Sequence, residues 1–97
     1  MDKKEEIIKN IEENTSIIEW DELKFFFARG ETIFISKNLD IKEIALQICL
    51  DNKIFIEPLM QSNQIGKIQD DTAKLWFSEN KKVLACVVRP FILVQEI

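Results

Sequence analysis

The apolar positions of this chain follow two periodicities, and the switches between them mark out its elements. Ile7, Ile8 and Ile11 recur at helical spacing in an otherwise charged segment. That predicts a helix over Asp2 to Asn14 with one narrow apolar stripe, started by Asp2 and Glu5 at capping-box spacing. A stripe this thin suits an arm that docks on the domain or on a second copy of the chain. Thr15 to Glu19 reads as a connector, extended at most. Trp20 to Arg29 is expected to form a second helix. Asp21 suits its N-cap, Trp20 and Phe25 stand where a hydrophobic staple would close, and Gly30 supplies a left-handed stop.

The period then changes to two. In Thr32 to Ser36, Ile33 and Ile35 face one way and Thr32, Phe34 and Ser36 the other, as in a strand with both faces at least partly covered. Asp40 and Glu43 have capping-box spacing before a third helix, Ile41 to Asp51, whose inward face is Ile41, Ile44, Ala45, Ile48 and Cys49. A fourth helix, kinked by Pro58, runs from Asp51 or Asn52 to Ser62, with Asn63 as its left-handed end. Ile65 to Ile68 is a short strand or an extended linker. Asp70 caps a fifth helix, Asp71 to Glu79, that turns Ala73, Trp76 and Phe77 inward.

The closing stretch, Val83 to Ile97, is the most apolar run of the chain. Val83 to Val88 has no polar residue on either face, the mark of a strand buried on both sides. Arg89-Pro90 interrupts the run, and Phe91 to Val94 resumes it. The interruption fits a two-residue hairpin turn or a bulge in one long strand equally well. These elements add up to an α+β domain spanning residues 1–97. Its small, mainly antiparallel sheet has strands near 32–36, 83–88 and 91–95, with 65–68 as a further candidate, and four to five helices cover it. Covering both faces of the tail strands takes much helix for a small domain, so a homo-oligomer is expected.

Composition narrows the functional classes. Apolar residues make up 46% and charged residues 31% of 97 residues, which places the chain among ordinary globular domains. The net charge is −4, so a nucleic-acid backbone is not an expected partner. The apolar runs are too short for the roughly 20 residues of a membrane helix, and no signal-peptide pattern opens the chain. A cytoplasmic protein is expected. The absence of histidine removes the commonest general base, the commonest zinc ligand and every Ser-His or Cys-His pair. Cys49 and Cys86 sit in apolar surroundings and read as reduced core thiols.

Five acidic residues, Asp40, Glu43, Asp51, Asp70 and Asp71, lack calcium-loop spacing, and two of them are placed to cap helices. No metal or cofactor is expected, and the two scattered glycines form no phosphate loop. The best candidate ligand or partner site is Arg89 with Gln95 and Glu96, because an arginine between two apolar strands must be paired or surfaced. Trp20, Phe25, Phe26 and Phe91 are candidate contact residues, since three consecutive phenylalanines cannot all face one core.

Several motifs together are similar to the bacterial domain-of-unknown-function family 2288. They are Trp20-x-Glu22-Leu23 followed by Phe26-Phe27-Ala28-x-Gly30, then Leu39-Asp40-x-x-Glu43-x-Ala45, Asp70-x-x-Ala73-x-x-Trp76, and Val87-Val88-x-Pro90-x-Ile92-Leu93-Val94-Gln95. The resemblance covers residues 15 to 96 and implies a small single-domain prokaryotic protein with no assigned activity. It brings no catalytic residues with it. Phe91 and Leu59 stand where the family pattern leads one to expect tryptophan. The expectation is therefore a non-catalytic protein that works by protein–protein contact, as a homodimer or as a small acidic regulator or inhibitor of another protein. The alternative is a small-molecule binder or enzyme built around Arg89.

Overall fold

In the computed structural model, which describes residues 2–97, the closing stretch folds as a hairpin at the centre of a five-stranded sheet. The elements run in the order α1 (Lys3–Glu13), β1 (Thr15–Glu19), a 3-10 turn (Trp20–Leu23), α2 (Lys24–Ala28), β2 (Thr32–Ile35), α3 (Ile41–Cys49), α4 (Lys53–Gln61), β3 (Ile65–Gly66), α5 (Asp70–Ser78), β4 (Lys82–Val88) and β5 (Phe91–Glu96). The strand order is β1-β4-β5-β2-β3. All neighbours are antiparallel except β2 and β5, which run parallel with Thr32 opposite Ile92. Arg89-Pro90, joined by a cis peptide bond, forms the two-residue turn between Val88 and Phe91. The hairpin, not the bulged single strand, is the geometry adopted.

Alternation along β4 and β5 divides the core in two. Cys86 and Leu93, with Ile35, join a cluster covered by α1, α3 and α4. Val83, Ala85, Ile92 and Val94 join a second cluster under the 3-10 turn, α2 and α5. Both faces of the tail are thus covered by helices of the same chain. The need for a second copy to cover them, inferred from the apolar run, falls away. α1 is part of this cover, since its Ile11 is buried in the first cluster and Thr15 Oγ1 donates to the Ile11 carbonyl at 2.6 Å.

Three segments differ from the sequence reading. Thr15 to Glu19 is no connector but an edge strand, in register with β4 from Thr15 opposite Cys86 to Glu19 opposite Lys82. The expected second helix divides into the 3-10 turn and the short α2. A 3-10 turn carries three residues per turn and not 3.6. The staple from Trp20 to Phe25 therefore does not form. Trp20 meets the rings of Phe27 at 5.6 Å, Phe77 at 5.4 Å and Trp76 at 5.1 Å. Gly30 with φ 74° and Asn63 with φ 62° end their segments in left-handed conformations, as their types favour. The fifth helix begins one residue early, so that Asp70 lies in its first turn and Gln69 holds the capping position.

Trp20 was a candidate contact residue, but it is 1% exposed and its indole N–H donates to the Ala73 carbonyl at 3.2 Å. The hydrogen bond satisfies the one polar atom of the ring, which makes full burial affordable. Phe25, by contrast, is 69% exposed. Trp20→Ala is expected to lower unfolding free energy by about 3–5 kcal/mol, and Phe25→Ala by about 0.5 kcal/mol or less. Urea titration followed by circular dichroism measures both, and similar losses for the two would contradict this division.

Candidate functional site

The three residues expected to form a site around Arg89 are held apart. Arg89 is exposed in the β4–β5 turn, opposite in the hairpin to the end that carries Glu96, which pairs with Val83. Five residues along a strand separate Arg89 from the nearer of the pair by far more than a side chain's reach. Gln95 is buried on the α3 side of the sheet, where its amide donates to the carbonyls of Ser36 at 2.9 Å and Leu39 at 2.6 Å. Glu96 points to the opposite face and accepts from the Trp76 indole at 3.0 Å. Both polar residues tie the last strand to its neighbours. Among the described residues the only ion pair joins Arg29 to Glu31 at 3.2 Å.

Two of the acidic residues, Asp40 and Glu43, are locally engaged. The Asp40 carboxylate accepts from the amides of Lys42 at 3.0 Å and Glu43 at 3.5 Å, and Glu43 accepts from Gln47 at 2.8 Å. Among the described residues no three His, Cys, Asp or Glu side chains gather in metal-binding proximity.

What the fold leaves unexplained is α4. Asn52 caps it, accepting from the Phe55 amide at 3.3 Å, and Pro58 lies inside it. Lys53, Glu57 and Gln61 form one polar stripe at i, i+4 spacing. All other positions are apolar, a pattern that belongs to a helix covered nearly all round. Yet none of its residues is buried. Ile56 and Leu59 lean on the first core cluster, while Ile54 is 89% exposed and Phe55 and Met60 are also open to solvent. Sequence reading missed this face because a run of mostly apolar residues around a helix predicts burial, and only the packing shows which side lacks a neighbour.

A cleft of about 490 Å³ adjoins the helix, walled by Ile56 and Met60 of α4, by Phe27, Ile33 and Ile48, and by Phe91. It exists because β3 is only two residues long and pairs only with Phe34 and Ile35. The first half of β2 has no strand beside it there. Phe91 was expected as a contact residue and lines this wall. Phe26 is half-buried against the second core cluster, its ring 5.1 Å from the Arg29 guanidinium. Lys67 is the only charged side chain lining the cleft.

The cysteines part company. Cys86 is buried, as expected, but Cys49 is exposed at the end of α3. Burial pushes the Cys86 thiol above its ordinary value of 9.0, against a smaller lowering from a hydrogen bond with Thr15. Its thiolate, the reactive form, is therefore suppressed in the folded state. Because the folded-state value is the higher one, this proton's contribution to stability is complete below about pH 9 and declines as pH rises past the unfolded thiol's titration. A maleimide or disulfide reagent at pH 8 is expected to modify Cys49 alone in the native protein and both thiols in urea, read by intact mass. Native modification of Cys86 at a similar rate would show that its site opens readily.

This architecture has a counterpart among solved structures. It is similar to the NMR solution structure of PA1075 from Pseudomonas aeruginosa, with a TM-score of 0.82 and 26% identity over 99% of this chain and 89% of that one. No curated protein matches the sequence. The family profile described as "Protein of unknown function (DUF2288)" matches residues 6–96, nearly the whole chain, and the protein belongs to that family.

Proposed function

We propose that this protein acts in the cytoplasm without catalysis, through contact with another protein, as a small acidic regulator. The observation that carries this reading is α4, a helix apolar around most of its circumference with no buried residue and with Ile54 almost fully open to solvent. Large apolar groups clustered on a surface are a signature of interaction sites, whereas single scattered ones are not. Leu50, just before the helix, extends the exposed group. The partner offers a complementary apolar groove, and the Lys53–Glu57–Gln61 stripe forms the polar rim. The net charge of −4 favours a partner with a basic surround around that groove.

A second reading has its own observation. The cleft beside α4 falls within the size range of small-molecule sites and is mostly apolar. The two readings separate at named residues, because Ile54 is 89% exposed and does not line the cleft, while Phe91 forms part of its wall.

Ile54→Asp is expected to leave the melting temperature nearly unchanged, since the side chain is exposed. It should weaken retention of a protein partner, captured from native lysate and identified by mass spectrometry, by about 30-fold or more, the loss of a central apolar anchor. Phe91→Asp should retain the partner. If Phe91→Asp instead abolishes stabilisation by a small apolar ligand in a thermal-shift screen, and Ile54→Asp changes nothing, the protein-contact reading fails.

A further inference from the structure

We propose that a second copy of this chain pairs with the outer edge of β1, the two β1 strands lying antiparallel about a two-fold axis at Ile17 and joining two five-stranded sheets into one. The inference rests on β1 and is independent of α4, which lies beside β3 at the other edge of the sheet.

Hydrogen bonding shows which groups β1 leaves open. The Val87 amide donates to the Asn14 carbonyl at 3.1 Å, and the Trp20 amide to the Lys81 carbonyl at 2.9 Å. These bonds bracket the ladder and share its parity. Antiparallel strands alternate the direction of their backbone groups residue by residue, so Ser16 and Ile18 turn toward β4. Thr15, Ile17 and Glu19 turn their N–H and C=O groups outward, where no strand stands among the described residues.

The two edges of the sheet are treated differently. β3 is two residues long and is followed at once by Lys67. A very short strand and a flanking lysine are common protections against edge-to-edge pairing. β1 has five residues, TSIIE, with no lysine, proline or bulge, and Ile17 at its centre is 59% exposed. An open apolar edge of this kind is a template for another strand.

The sequence of β1 also suits a copy of itself. About a two-fold axis at Ile17, each Ile17 faces its counterpart and Thr15 faces Glu19, so every outward backbone group finds a partner. The two Ile17 side chains lie together on the face that carries Leu84, opposite Ile17 in the ladder. No two like charges face each other in this register. The one carboxylate of each strand, Glu19, has Lys82 across the existing ladder. A C2 contact of this type is isologous and closes at two copies, and it leaves both α4 faces free at the far edges of the joined sheet.

Sedimentation equilibrium of the intact protein is expected to give twice the chain mass of 11.4 kDa. Ile17→Lys should return it to monomer with an unchanged circular dichroism spectrum, and Ile54→Asp should leave the dimer intact. Amide exchange followed by NMR reads the same seam from the backbone. Thr15, Ile17 and Glu19 should be protected in the concentrated protein and lose protection on dilution or in Ile17→Lys, while Ser16 and Ile18 stay protected throughout. In a Cys49→Ser background, Ile17→Cys should form a covalent dimer on mild oxidation. A wild-type monomer at millimolar concentration, or a dimer that survives Ile17→Lys and is lost in Ile54→Asp, overturns the proposal.

Discussion

Strands β4 and β5 carry apolar side chains on both faces, and the rest of the structure follows from where those side chains can be hidden. Period-two alternation sends Cys86 and Leu93 to one side and Val83, Ala85, Ile92 and Val94 to the other. Each buried aliphatic side chain contributes about 1.5–3 kcal/mol, but only when a helix lies over it. The chain therefore places helices before and between its strands so that both faces are closed. Where β5 ends, polar residues take over: Gln95 bonds the turn before α3, and Glu96 bonds Trp76 of α5. The last strand is thereby tied to both layers at once.

The second layer depends on one aromatic group. Trp20 lies edge-on to Trp76 and touches Phe27 and Phe77, so the 3-10 turn, α2 and α5 share a single aromatic contact. Such edge-to-face pairs add roughly 0.5–1.5 kcal/mol beyond area burial. The two indole N–H groups are both satisfied, one by a backbone carbonyl and one by Glu96. An aromatic surplus that looks available for partners when read along the chain is mostly consumed inside the fold. The first layer is less complete, because α4 has neighbours on one side only.

The exposed features then sort by sheet edge. At one edge, β3 is too short to cover the start of β2, and the resulting cleft and α4 form an apolar surface. At the other, β1 presents unpaired backbone groups beside an exposed isoleucine. A small domain has limited core to spare, so apolar residues left on its surface represent stability forgone. Their placement at the two ends of the sheet keeps the proposed partner site and the proposed self-pairing strand from competing for the same surface.

Periodicity and end signals alone determined much of this architecture. The strands at 32–35, 82–88 and 91–96, the caps at Asp2 and Asp40, the stops at Gly30 and Asn63, and the mixed α+β class are all local consequences of residue type and spacing. The family could be read from motifs near Trp20, Asp40, Asp70 and Pro90. β1 was not legible, because TSIIE has too few apolar positions to show alternation and its strand form depends on a partner more than sixty residues away. Nor could the sequence place Arg89 and Glu96 at opposite ends of a hairpin until the turn was known. Which phenylalanine faces inward depended on the tighter pitch of a 3-10 turn. Burial on both faces and the absence of a neighbour over Ile54 are properties of packing between distant segments. Local sequence determines what each element would bury, and only the tertiary structure decides which of those faces meets another part of the chain.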